Sequence, residues 1–253
     1  MRKILLIGMG PGGPDFLTVQ AIDALNRATV FFLPDKGAEK AELREVREQI
    51  CRRFITRPEI RFVTIDIPQR DAPAGDYRAT VDDWHAQIAA RYRQVLIDEL
   101  PDDGCGAFLV WGDPTLYDSS LRILDRLRAD GLPIEYEIIP GISAVQVLTA
   151  RHRIPLNRIG ESVTITTGRK LGAAHHAAED TVVMLDGDET FAKIDAGDTY
   201  IYWGAYLGMA DEILIAGKLA DVASDIQRVR REAREAKGWI MDAYLLRRSD
   251  GGA

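Results

Sequence analysis

Two cysteines in 253 residues, Cys51 and Cys105, are too few and too far apart to build a disulfide framework or a thiolate metal site. They imply buried or half-buried thiols in a reducing cytoplasm. No apolar stretch approaches the roughly eighteen residues of a membrane span, and the basic start MRKILLIGMG meets glycine and proline after a short apolar run. Neither a signal peptide nor a membrane span is expected. Positive charge is also in deficit, with 32 lysines and arginines against 39 aspartates and glutamates and a net charge of −7. Duplex affinity rests on cations that neutralise phosphates, so the expected partner is a small molecule and not nucleic acid. The one dense basic run, RVRREAREAKG at residues 228–238, interleaves glutamates and reads as a solvated helix face. Histidine is scarce: His85 lies in a helical pattern, while His152, His175 and His176 have no recognisable partner, so all four read as structural.

What the chain does have is an alternation of short β-rich runs and helical patterns. Strands are expected over residues 3–7, 29–33, 60–67, 106–111 and 134–139. Between them, Leu43, Val46, Ile50 and Phe54 share one helix face, as do Val81, Trp84, Ile88, Tyr92 and Val95. This rhythm predicts an α/β fold whose N-terminal domain, residues 1–141, is a parallel sheet flanked by helices. Such a sheet binds its ligand beyond the carboxyl ends of its strands. Past residue 141 strand candidates come closer together, at 162–167, 181–185, 199–203 and 212–216. A second domain, 142–253, with a mixed, partly antiparallel α/β sheet is expected. A long helix from about Ala223 should end near Gly238 or run on toward Leu246, before a disordered SDGGA tail.

The stretch LLIGMGPGGPDFLT, residues 5–18, spells the dinucleotide fingerprint G-x-G-x-x-G through Gly8, Gly10 and Gly13, with Asp35 at about the distance of its ribose-binding acid. In a dinucleotide fold the helix starts inside that loop. Here Pro11 and Pro14 remove amides, and the spacing of Leu17, Ala21, Ala24, Leu25 and Ala28, with Thr18 as cap, starts the helix near residue 18. That start is too late for a pyrophosphate. A loop of glycines and prolines still lets backbone approach a flat ligand closely.

Three more stretches matter. The fourth strand ends in LVWGDPTLYDS, where Gly112, Asp113 and Pro114 make a turn at a carboxyl end. In IIPGISAVQ, Ser143 is placed to cap a helix and Ala144 leaves room for a neighbour. TITTGRK is a strand running into Gly168, Arg169 and Lys170.

In order and spacing, GMGPGGPDFLT, GDP, PGIS and TTGR resemble the motifs of the tetrapyrrole methylase family. Longer stretches, PGISAVQVLTARHRIPLNRIGESVTITTGR, TVVMLDG and YIYWGAYLG, are similar to the branch that methylates precorrin-5 at C1 with loss of acetate to give precorrin-6A. The resemblance implies the two-domain tetrapyrrole methylase fold, S-adenosylmethionine as methyl donor held in the cleft between the domains, S-adenosylhomocysteine as product, no metal, and a cytoplasmic homodimer. By motif, donor contacts fall on Pro11, Trp111, Gly112, Asp113, Leu116, Ser143 and Ala144, and on Leu185, Asp186, Trp203, Gly204 and Ala205. Asp186 stands where many relatives are apolar, and GWIMDAYLLRR does not resemble the family's closing strand, so a sheet without that strand is expected.

A sulfonium methyl is already activated, so transfer needs placement more than chemistry. The acidic acceptor directs attention to cations, first Arg169 and Lys170, then Lys36, Arg151 and Arg153. Loss of acetate needs a base, for which Asp35 and Tyr117 are the candidates, with Asp186 a further one. Other readings remain open: a methylase of the same fold with another corrin carbon or diphthine as its target, an NAD-dependent oxidoreductase, or a non-catalytic nucleotide-binding module.

Overall fold

A computed structural model describes residues 1–35, 41–68, 77–174 and 180–248. The chain divides into two units, Met1–Ile142 and Ser143–Ala253.

In the first unit the order is β1 (Arg2–Gly8), α1 (Val19–Arg27), β2 (Val30–Asp35), α2 (Ala41–Phe54), β3 (Arg61–Asp66), α3 (Tyr77–Glu99), β4 (Cys105–Val110), α4 (Ser120–Ala129) and β5 (Ile134–Ile139). The five strands form a parallel sheet in the order β3-β2-β4-β1-β5. Successive side chains of a strand point to opposite faces, so a sheet covered on both sides needs continuous apolar runs. That is why β1 reads ILLI without alternation. Ile4 and Leu6 join the core under α3 and α4, whereas Leu5 and Ile7 join the core under α1 and α2. Thr18 caps α1 as its spacing predicts, its Oγ1 accepting from the Ala21 amide at 3.0 Å.

An ion-pair cluster ties α1, β1 and β5 together. Glu137 accepts two hydrogen bonds of 2.9 Å from Arg27 and meets Lys3 at 2.9 Å. Arg27 first, then Lys3, draws its carboxyl from 4.5 to about 2. With the folded value below the unfolded one, the stabilisation is complete above the unfolded pKa and is lost as pH falls toward the folded one. Glu137→Gln is expected to lower Tm by about 1–3 °C at neutral pH, a difference that shrinks from about pH 5 down to about pH 2 in calorimetry.

The second unit runs α5 (Ala144–His152), β6 (Val163–Thr167), α6 (Gly168–Ala174), β7 (Asp180–Met184), β8 (Thr199–Ala205), β9 (Ile213–Lys218), α7 (Leu219–Lys237) and β10 (Asp242–Arg248). Its sheet has the order β6-β7-β10-β8-β9, with β6 and β7 parallel and the other pairs antiparallel. Ser143 caps α5 in a capping box with Gln146.

Four expectations need correction. The closing strand is present: β10 lies between β7 and β8, and its Ala243, Tyr244, Leu245 and Leu246 are all buried. α7 starts at Leu219, four residues before Ala223, and stops where Gly238 takes φ 77°. Gly168, Arg169 and Lys170 open a helix and do not extend a strand. The run at 228–238 is not wholly solvated, because Arg230 is buried with Leu219 and Ile226 on the inner stripe of α7. The SDGGA tail lies outside the described residues. Among the described residues no helix is long and apolar enough to cross a membrane.

Candidate functional site

In the first unit all strands are parallel, so their carboxyl ends share one edge. β1 and β4 are neighbours there, yet the helices that follow them, α1 and α4, cover opposite faces of the sheet. Connections that part in this way leave the crevice in which open α/β sheets bind ligands. The glycine loop and the GDP turn meet at this point. The Gly112 N–H donates to the Gly10 carbonyl at 2.8 Å and the Gly10 N–H to the Gly112 carbonyl at 3.3 Å. Both glycines adopt positive φ, 78° and 66°. Gly141 closes the cluster: a Cβ there would overlap the Gly112 oxygen and lie 2.8 Å from the Gly8 Cα.

Asp113 fastens this arrangement. Its Oδ2 accepts the Gly141 N–H at 2.9 Å, and its Oδ1 accepts the Thr115 N–H at 2.8 Å together with the Thr115 hydroxyl. Burial raises the carboxyl pKa, but the Thr115 hydroxyl and the Gly141 and Thr115 amides together outweigh it and hold Asp113 below its ordinary value. The anion therefore serves first to join the loops after β4 and β5. Pro11 is buried, Trp111 and Leu116 are half-buried, and Tyr117 is exposed with φ 54°. Burial lifts the Tyr117 phenol above its usual range. Asp35 ends β2 and its Oδ2 lies 3.4 Å from Arg44 Nη1. Thr18 begins its helix beyond the loop, after a 3-10 turn at Pro14–Phe16, so no helix N-terminus faces the fingerprint glycines as a dinucleotide requires.

The second unit holds the remaining residues. Ser143 is buried at the start of α5, with its Oγ accepting the Val145 amide at 3.2 Å, and Ala144 is half-buried beside it. Leu185 follows β7 in the left-handed region, φ 54°, and is 66% exposed. A branched apolar side chain there bears both a backbone cost and an exposure cost, a combination typical of ligand sites. Asp186 is buried and turned inward. Its carboxylate accepts from the Tyr244 hydroxyl at 2.6 Å, the Thr190 amide at 2.7 Å and the Thr190 hydroxyl at 2.9 Å. A Cβ on Gly168 would overlap that carboxylate, so the TTGR turn and the 185–190 turn lie against each other. Arg169 and Lys170 are exposed in the first turn of α6. Trp203, Gly204 and Ala205 form the end of β8 and are buried. Trp203 is fully buried, its indole N–H donating to Asp242 at 3.0 Å, and Gly204 leaves room for Leu148 and Leu207.

Sequence reasoning missed the anchoring role of Arg230. It donates to the Asp186 carbonyl at 2.6 Å, to Asp242 at 2.9 Å and to Glu189 at 3.2 Å, and so anchors the turn bearing Leu185. Burial opposes its charge, yet Asp242 and Glu189 more than offset this and raise the guanidinium pKa. Its position on the stripe of Leu219 and Ile226 was the available signal.

The other cations and histidines are accounted for locally. Arg151 pairs with Glu212 at 2.8 Å and Arg153 caps α5 with φ 57°. His85 meets Ser119 at 2.9 Å, and His152 meets the Trp203 carbonyl at 3.0 Å, with burial lowering its pKa. Lys36, His175 and His176 lie outside the described residues. Among the described residues no group of three or more His, Cys, Asp or Glu is placed to hold a metal ion.

Comparison with known proteins identifies this architecture. The model of the tetrapyrrole (corrin/porphyrin) methylases matches residues 3–223. The chain belongs to that family. A methylase relative from Sinorhizobium sp., precorrin-6A synthase [deacetylating], is 52% identical over 250 residues, covering 98% of this chain and 96% of that protein. A solved methylase-fold structure from Corynebacterium diphtheriae, described as cobalamin synthesis related, superposes with a TM-score of 0.83 at 40% identity, covering 99% and 100% of the two chains. The uroporphyrin-III C-methyltransferase of Thermus thermophilus, solved with S-adenosylhomocysteine, shares the methylase fold with a TM-score of 0.58 at 16% identity, over 96% and 91% of the chains.

Proposed function

We propose that this methylase transfers a methyl group from S-adenosylmethionine to C1 of precorrin-5 and releases acetate, giving precorrin-6A. The observation that carries the reading is the 52% identity to a precorrin-6A synthase over 98% of the chain. When bound, the donor supplies an electrophilic methyl group, so the protein's task is to place a nucleophilic carbon in line with it.

The residues present suit such a donor. In the first unit, glycine backbones meet after β1, β4 and β5 without intervening side chains and the half-buried Trp111 offers a flat apolar surface; in the second unit, Leu185 offers an exposed apolar side chain. Ser143 and Ala144 are donor contacts proposed for the second unit. Leu185 and Asp186, after β7, and Trp203, Gly204 and Ala205, at the end of β8, are the further donor contacts of that unit. Arg169 and Lys170 take carboxylates of the acceptor. Asp35 is the base that draws a proton from the water attacking the acetyl carbonyl. Tyr117 is the second candidate for that role. A cytoplasmic location and a homodimer belong to the same proposal.

Calorimetric titration with S-adenosylhomocysteine, with NAD in a parallel cell, tests the reading. Micromolar binding of the first alone is expected, and binding of NAD alone would overturn it. Asp113→Ala frees the Gly141 amide and is expected to weaken S-adenosylhomocysteine roughly 10-fold or more through loss of loop order. Unchanged affinity would remove Asp113 from the donor site.

A further inference from the structure

α2 carries four arginines, and three of them have carboxylate partners. Arg44 lies 3.4 Å from Asp35, Arg52 lies 3.1 Å from Glu48, and Arg53 lies 3.0 Å from Asp15. Arg47 differs. Its Nε donates to the Leu109 carbonyl at 3.0 Å and its Nη1 to the Leu43 carbonyl at 2.6 Å. Among the described residues it forms no ion pair. Asp118 favours its charge through space, but the Asp118 carboxylate accepts the Ser120 amide at 2.7 Å instead. The guanidinium sits deeply enough that desolvation draws its pKa below the ordinary arginine value.

Arg47 is half-buried, and a partly desolvated cation with no carboxylate partner among the described residues favours the arrival of an anion. The position of Arg47 indicates where that anion would bind. Leu109 lies near the carboxyl end of β4, and the guanidinium carbon is 5.8 Å from the centre of the Trp111 ring at the edge of the ligand crevice. Two carbonyls fix the plane of the fork and leave Nη2 without a hydrogen bond among the described residues. A planar fork held in this way suits a carboxylate.

We propose that Arg47, braced by the Leu109 and Leu43 carbonyls beside Trp111, is a carboxylate-binding subsite at the carboxyl end of β4. The proposal rests on the methyltransferase reading, which offers two sources of carboxylate: the periphery of the tetrapyrrole and the amino-acid end of the donor.

The test uses the full-length protein and its Arg47→Met and Arg47→Lys variants, titrated with S-adenosylhomocysteine, with methylthioadenosine, which lacks the amino-acid carboxylate, and with uroporphyrin III, whose periphery is rich in carboxylates. Arg47→Met is expected to weaken one carboxylate ligand roughly 10- to 100-fold while leaving methylthioadenosine within about 2-fold of wild type, with partial recovery in Arg47→Lys. Selective loss of uroporphyrin III assigns the subsite to the acceptor, and selective loss of S-adenosylhomocysteine assigns it to the donor. Equal affinity for all three ligands in Arg47→Met overturns the proposal. So does a uniform loss that includes methylthioadenosine, accompanied by a lower Tm, since that marks a purely structural arginine. Failure of the wild-type protein to bind S-adenosylhomocysteine would instead count against the methyltransferase reading itself.

Discussion

Arg230→Ala is expected to destabilise the second unit by about 3–5 kcal/mol and to lower its Tm by roughly 6–20 °C. The side chains of Arg230 and Asp242 are only 5% and 7% exposed, so truncating the arginine leaves a carboxylate buried without its counter-charge. The Asp186 carbonyl and Glu189 lose their anchor in the same step. Donor affinity should therefore fall even at temperatures where the variant is fully folded. Thermal unfolding and S-adenosylhomocysteine titration on one sample separate the two effects. Adding Asp242→Asn should recover part of the stability, because it removes the stranded charge, but should leave the 185–190 turn unanchored and the binding defect in place. Recovery of both properties together would refute the anchoring role.

Gly141→Ala is expected to be at least as damaging, by about 3 kcal/mol or more, through another mechanism. The new methyl group would overlap the Gly112 oxygen and crowd Gly8, and all of these are backbone atoms that cannot rotate aside. The loops after β1, β4 and β5 must then separate, breaking the Asp113 to Gly141 hydrogen bond and the Gly10 to Gly112 pairing. Circular dichroism should report a lower midpoint, and S-adenosylhomocysteine binding should disappear. A variant with wild-type stability and affinity would show that these loops can part at little cost.

The sequence exposed elements more readily than the side-chain roles within them. The strands of the first sheet were legible because both faces are covered and each reads as a short apolar run, and Thr18 and Ser143 marked their helix starts by capping chemistry. β10 was harder to read. Four consecutive buried residues, Ala243–Leu246, follow closely on a helix and carry no alternation, since both faces of the strand are covered. Arg230 was misread because its charge fits the solvated face suggested by the surrounding glutamates, and only the tertiary pairing with Asp242 reveals it as interior. Asp113 and Asp186 were recognised as important, but the loop-fastening bonds they make were not legible. Each carboxylate satisfies amides or hydroxyls of its own neighbourhood, a use that depends on distances between segments remote in sequence.

The central place of β10 bears on how the protein is made. As the chain leaves the ribosome, β6, β7, β8 and β9 can emerge and pair in part, but β7 and β8 have no common partner until residues 242–248 appear. At about 5–20 residues per second, the interval from the end of β8 to the end of β10 leaves two open strand edges for roughly 2–9 s. Such edges invite pairing with other chains. The parallel sheet ahead of them has the same dependence, since β4 must enter between β1 and β2, but β5 completes it long before. Newly synthesised protein therefore passes through a stage in which one half is finished and the other is adhesive, and this half-built state is where chaperones would act and where slowed translation would do most harm.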